Sequence, residues 1–418
     1  MLEFPSTKDL LGDLVALKPH TLQGQRDVAE YIRNLAMRWN IGDVQIVDFP
    51  ETAKLSDGSP KPCNIIIEKG VGTEETIVSH THFDSVPPTD FPRNFERQPH
   101  QLTEDPQNPD ICYANAGFDD LSHLAADLVA FHRFEPWKGR KMVLVSVSGE
   151  EDQSQGTHAL FHPDFLHGKN PILKADGFIS GEIPVASSID DPQTLLIGRP
   201  GRVGLHLEVF GDAFHTGKLR RVLFDNLVAT RGSLVKANLK HIFFPEHPND
   251  PLHLMPESLC APGTWRTNQP RSLTVVSKET IHLDVIFTNP ALSPTEIHGI
   301  VNRKIAGILG DENFILTFEA GRELPFTKPY LESPDNPFVR RGLEIAANVN
   351  GQWHEPKAGR GTADEPILVH ESNKPCIIFP TQGEDEHLCS ERVRISSIDR
   401  RAAFVEQAAT FDRPLTRD

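Results

Sequence analysis

Five residues scattered through the chain, His82, Asp119, Glu151, Glu182 and His387, have the donor chemistry of ligands for divalent cations. Two imidazoles and three carboxylates gathered in one crevice would suit two borderline ions that share a bridging carboxylate. Glu150 stands directly before Glu151, so one can ligate a metal while its neighbour faces the bound water as a general base. His82 is the expected ligand rather than His80, because Asp84 lies two residues on. In an extended chain that spacing puts both side chains on one face, where Asp84 can orient the ring. His80, one alternation earlier, is expected to be buried or to stand behind the ligands. Taken singly, each carboxylate also reads as a solvated surface group or a helix cap. The joint placement carries the metal reading.

The elements that must position these residues are legible around them. Thr76 to His82 is a short β-type run that Pro87-Pro88 forbids from continuing. Lys141 to Ser148 is nearly all apolar, the pattern of a strand covered on both faces in a mostly parallel sheet, and it ends in Gly149-Glu150-Glu151. Phe178-Ile179-Ser180 repeats the arrangement with Gly181-Glu182. Asp119-Asp120 open a helix whose one face is Leu121, Leu124, Ala125, Leu128 and Phe131. Further strands are expected at Val44–Phe49, Asn64–Ile67 and Cys376–Phe379, helices at Thr21–Asn40, Asn336–Asn348 and Ile398–Phe411, and a loop over Pro88–Asp110. Strands alternating with helices predict an α/β fold with a mostly parallel open sheet flanked by helices, its site along the C-terminal strand edge.

At Gly198-Arg199-Pro200-Gly201 the pattern changes. Val203–Phe210 alternates like a half-exposed antiparallel strand, with further strands expected at Leu273–Val276, Thr280–Phe287 and Phe314–Phe318 and helices at Arg220–Leu239 and Ser293–Leu309. This is an inserted α+β domain of ferredoxin-like type, which divides the chain into 1–199, 200–320 and 321–418. Phe243–Trp265, rich in proline, reads as a long loop within reach of a substrate with an apolar or ring-shaped part.

At 418 residues the chain calls for two or three domains, and 38% hydrophobic with 24% charged residues describes a soluble globular protein. A net charge of −16 speaks against nucleic-acid or anionic-membrane partners. The N-terminal residues lack the pattern of an export signal, so a cytoplasmic location is expected. Five cysteines without a CxxC pair suit reduced thiols.

In order and context these segments resemble the dinuclear-metal aminoacylase, carboxypeptidase and succinyl-diaminopimelate desuccinylase family of metallopeptidases. The resemblance rests on His82-Phe83-Asp84-Ser85-Val86-Pro87, on Asp119-Asp120 with Leu124-Ala125-Ala126, on Glu150-Glu151 through Gly156, on Glu182, and on His387 with Glu391. It covers almost the whole chain. It implies that Asp119 bridges two metals, that His82 and Glu182 complete one site, and that Glu151 and His387 complete the other. Glu150 would take a proton from the metal-bridging water and pass it to the leaving nitrogen. Asp84 would orient His82, the Asp119–Asp120 peptide would be cis, and His215 would donate to the developing oxyanion, often from the partner subunit of a homodimer built on the inserted lid domain. The cofactors implied are two divalent ions per chain, zinc first, with manganese and cobalt fitting the same donors.

Two departures bear on substrate. Leu121 replaces the family's lysine, and Asp284-Val285-Ile286 lacks the arginine that relatives carry for a substrate carboxylate. Arg266, Asn268 and Arg360 are the candidates to replace it. The expected function is hydrolysis of a C–N bond in a small peptide or N-acyl amino acid. The alternatives are a deaminase or catabolic amidohydrolase acting on a ureido, amidine or amino-aromatic substrate, and a non-catalytic binding protein on the same fold.

Overall fold

The computed structural model describes residues 3–49, 61–88, 97–136, 139–151, 154–168, 170–184, 187–210, 214–215, 221–239, 241–250, 252–268, 274–275, 278–319 and 326–411. Of these, 167–168, 214–215, 221–229, 262–268 and 274–275 are described by their backbone alone. The chain divides into two compact units, Met1–Gly198 with Leu331–Asp418, and Arg199–Tyr330.

The first unit is built on a six-stranded sheet in the order Asp43–Asp48, Cys63–Gly70, Arg140–Val147, Glu75–His82, Gly177–Ser180, Cys376–Ile378. The first two pairings are antiparallel and the other three parallel. Glu75–His82 is buried along its whole length, as expected of a strand inside an α/β sheet covered on both faces. Helices Ser122–Arg133 and Ile395–Thr410 pack on each other and on the two central strands, while Leu22–Trp39 packs on the Asp43–Asp48 edge. Leu22–Trp39 starts and stops for local reasons. Thr21 caps it by accepting from the Gly24 N–H, and Asn40 leaves it in the left-handed region.

Register matters most for function. Parallel pairing sets His82 opposite Val147 and His80 opposite Ser180. Three adjacent strands therefore end at one edge, delivering His82, then Gly149-Glu150-Glu151, then Gly181-Glu182.

Two features differ from the expectation. Helix Thr7–Ala16, closed by a Ser6–Asp9 capping box, is absent from the sequence reading. Part of the expected Pro88–Asp110 loop is strand: Thr103–Asp105 and Asn108–Tyr113 join Arg392–Arg394 and Gly383–Glu384 in a four-stranded antiparallel sheet. Its strands are too short to display an alternation, and Tyr113 pairs with Arg392 across most of the sequence.

The second unit is an antiparallel sheet in the order Leu259–Asn268, Lys278–Phe287, Gly201–Phe210, Phe314–Phe318, with Phe326–Thr327 also pairing to Gly201–Phe210. Its core joins Val203, Leu205, Leu207 and Val209 to Ile281, Leu283, Val285 and Phe287, covered by Ile297, Val301 and Ile305 of helix Pro294–Leu309. The strict alternation of buried and half-buried residues along Lys278–Phe287 is what a sheet with one packed face requires. The expected loop Phe243–Trp265 is corrected from Leu259 onward, where the backbone is an edge strand with a register irregularity between Pro262 and Trp265. Proline is tolerated at such an edge and bulge.

Candidate metal centre

Asp119 sits on a wide turn, Gly117–Leu121, that leads into helix Ser122–Arg133, and its peptide bond to Asp120 is cis. The turn is pinned by Glu391, whose buried carboxyl accepts from the backbone N–H groups of Ala116 (2.9 Å), Phe118 (2.8 Å) and Asp119 (3.1 Å). Asp120 points the other way. It is fully buried and accepts from the His82 N–H at 2.9 Å, tying the bridging turn to the strand end. His123 pairs with Asp120 and its Nε2 accepts from the Thr381 N–H at 2.8 Å. That bond leaves the ring proton on Nδ1, facing Asp120. Burial pushes the Asp120 carboxyl up and the His123 imidazole down.

Asp84 holds the Glu150-Glu151 turn, its carboxylate accepting from the N–H groups of both at 3.2 Å. Gly156 lets this segment close. A Cβ there would stand 2.2 Å from the Ser148 carbonyl oxygen. The His82 Nδ1 lies 3.2 Å from the Asp84 carbonyl oxygen and 3.6 Å from its carboxylate. A carbonyl can only accept, so Nδ1 carries a proton and Nε2 is aimed at the cluster.

Two triads result. Nε2 of His82 is 3.1 Å from Asp119 Oδ1 and 3.7 Å from Glu182 Oε2. Nε2 of His387 is 3.1 Å from Asp119 Oδ2 and 3.0 Å from Glu151 Oε1. Within each triad the donor atoms lie within 4.8 Å of one another, and Asp119 belongs to both, one oxygen to each. The chemistry of the donors fits a pair of divalent cations: each set offers one imidazole nitrogen and one carboxylate oxygen beside the carboxylate they share.

The electrostatics express the same surplus of negative charge. Burial works to raise Asp119, yet hydrogen bonds from His387 and His82 hold it well below the usual carboxylate range. The contacts of His387 with Asp119 and Glu151 push its imidazole up to about 11. His82 is raised against its burial by Asp119 and the surrounding carboxylates. The protons that these rings hold are those that bound cations would displace. Burial, then the charge of Glu182, lifts Glu150 well above its ordinary value.

Of the remaining predicted residues, His80 is buried and its Nε2 meets the Thr157 hydroxyl at 2.9 Å, and Thr157 in turn donates to Asp364. Arg360 is exposed and lines a cavity of 110 Å³ with Lys357, Thr381 and Gln382, whose wall includes none of the five clustered residues. His215 lies on strand Phe214–His215, paired with Thr274–Val275, and Arg266 and Asn268 lie on strand Leu259–Asn268. The side chains of these three fall outside the described residues. Missed by the sequence reading were the pinning role of Glu391 and the Asp120–His123 pair. An i,i+3 Asp–His pair at a helix start gives no signal of its own.

No family model matches this sequence, and no curated protein matches it. Solved structures match over nearly its whole length. They include a di-peptidase of Saccharomyces cerevisiae, 12% identical with a TM-score of 0.72 over 97% of this chain and 96% of the other. Human carnosine dipeptidase 1 is 15% identical with a TM-score of 0.68 over 96% of each chain. An M20 family metallo-carboxypeptidase from Sulfolobus solfataricus is 15% identical with a TM-score of 0.66 over 96% of this chain and 97% of the other. The chain has the fold of these peptidases.

Proposed function

We propose that this chain is a metal-dependent hydrolase that cleaves the C–N (amide) bond of a small peptide or N-acyl amino acid. The observation that carries the reading is the pair of donor triads sharing Asp119, with Glu150 directly before Glu151 in the chain. His82, Asp119 and Glu182 would hold one divalent ion, and Asp119, Glu151 and His387 the other, zinc first with manganese or cobalt as alternatives. When bound, the ions polarise the scissile carbonyl and acidify water.

The chain's own groups do the rest. Asp84 fixes the turn carrying Glu150 through two N–H bonds, so the backbone that presents this carboxylate is set before substrate arrives. Its raised affinity for a proton suits a group that takes one from water and returns it to the leaving nitrogen. His215, on the Arg199–Tyr330 unit, would donate to the oxyanion. That unit would serve as lid and dimerisation domain. The named peptidases of the same fold support a peptide-like substrate. No helix among the described residues is long and apolar enough to cross a membrane.

The test is metal analysis after reconstitution, combined with turnover of dipeptides and N-acyl amino acids by wild type and Glu150→Gln. Two ions per chain and a loss of about 10²-fold or more in kcat for Glu150→Gln are expected. Fewer than one ion per chain, or an unchanged kcat, would sink the reading.

A further inference from the structure

The ladder between strands Cys63–Gly70 and Arg140–Val147 stops short of the segment that carries Glu150 and Glu151. Its last pair toward that end is Ile65 with Ser146, and beyond Val147 the chain turns away through Gly149, whose backbone is left-handed. Buried backbone groups past the end of a ladder still need partners. Asn64, fully buried on strand Cys63–Gly70, supplies two. Its Oδ1 accepts from the Ser148 N–H at 3.3 Å, and its Nδ2 donates to the Gly156 carbonyl at 2.8 Å. The two partners fix the orientation of the amide, because an N–H can only donate and a carbonyl only accept. One side chain thus joins both ends of the segment 148–156. Within it the Ser154 N–H donates to the Glu150 carbonyl at 3.0 Å and the Gln155 N–H to the Gly149 carbonyl at 2.8 Å. On its other side Asn64 pairs with Val47 in the sheet, so this clamp stands on a strand. Gly156 leaves it room: a Cβ there would come 2.9 Å from Asn64 Oδ1.

We infer that Asn64 is a positioning residue for the proposed reaction, its amide setting the turn that presents Glu150 as base and Glu151 as ligand. The inference rests on the hydrolase reading and deepens it. Asp84 grips the turn in the middle, at the N–H groups of Glu150 and Glu151, and Asn64 closes it at its ends. A turn released at its ends would misplace Glu150 and Glu151. His82 and Glu182, which close or follow other strands, would stay where they are. That asymmetry separates positioning from a general loss of stability.

Asn64→Ala removes both bonds, and Asn64→Leu removes them while filling the volume, which carries the test should Asn64→Ala fail to fold. Ile67→Ala is the control: it empties a buried position on the same strand and destabilises through packing alone. With metal-loaded protein, kcat and KM for dipeptides and N-acyl amino acids and the kinetics of ion release to a chelator are measured where thermal unfolding shows each variant folded. For the Asn64 variants kcat should fall about 10–100-fold with KM near the wild-type value, and the ion at Glu151–His387 should leave about tenfold faster while the ion at His82–Glu182 keeps its rate. Ile67→Ala should unfold at a lower temperature and change neither kcat nor release. Unchanged kcat and release in the Asn64 variants, equal acceleration of both ions, or the same losses in Ile67→Ala overturns the inference. If the wild type hydrolyses none of these substrates, the hydrolase reading falls, and faster release of the Glu151–His387 ion alone still supports the clamp. Wild-type turnover that the Asn64 variants retain in full does the reverse.

Discussion

The two triads share one aspartate and one chemistry, yet they are walled off unequally. In the first, the side chains of His82, Asp119 and Glu182 are 2%, 7% and 9% exposed. In the second, His387 is 45% and Glu151 14% exposed. The difference follows from mounting. His82 and Glu182 close or follow adjacent buried strands, whereas Glu151 lies on a turn and His387 on a loop whose Asp385 and His387 adopt left-handed backbone. Strand-end donors are placed by the sheet itself, and loop donors must be held by other side chains. Two sites of near-identical donors should therefore differ in how readily they release an ion.

The largest effect is expected where the comparison collapses. Asp119→Ala removes the shared carboxylate, and metal analysis should show both ions lost, with activity down by the full contribution of the metals, several kcal/mol in the barrier. An enzyme keeping one tightly held ion after this change would show that the triads are independent. Next comes Glu391→Ala, which leaves three buried N–H groups of the Asp119 turn unpaired. About 3 kcal/mol of stability and 10–100-fold in affinity for both ions should go, read by denaturant titration and by competition with a chelator. Glu391→Gln, which keeps an acceptor, should recover part of each. If only the exposed site weakens, the turn is held by something else.

The exchange rates address the difference directly. A chelator should strip the wild type in two phases, the ion at Glu151–His387 first. His387→Ala should keep one slowly released ion, and His82→Ala one that leaves quickly. A single phase in the wild type would mean that the exposure of His387 does not govern release.

How much of this was legible in the sequence depends on how local each pattern is. His82, Glu150-Glu151 and Glu182 announce themselves because a strand is a local pattern and its end is marked by Pro or Gly. Gly156 was visible as part of a spacing, though the reason for it, the Ser148 carbonyl at 2.2 Å from its missing Cβ, is tertiary. The grip of Glu391 on a turn 272 or more residues earlier has no local trace. Neither has the small sheet that joins Tyr113 to Arg392. Strand Leu259–Asn268 was hidden by Pro262, which locally argues against a strand and is accommodated only because this one lies at a sheet edge beside an irregular register.

The smallest effect supplies a baseline away from both triads. Glu332 is half-buried, accepts from the Cys376 N–H at 3.3 Å, and burial pushes its carboxyl up from 4.5 to about 7. Between those values the folded chain keeps a proton that the unfolded chain has released, so this group makes stability fall as pH rises through the window. Glu332→Gln should flatten that part of the profile and leave metal content untouched, as measured by thermal unfolding of the metal-loaded protein from pH 4.5 to 7. A slope unchanged by Glu332→Gln would assign the pH dependence to the cluster instead, where bound metals and protons compete for the same nitrogen and oxygen atoms. The contrast between the buried and the open triad would then have to be measured at a single fixed pH.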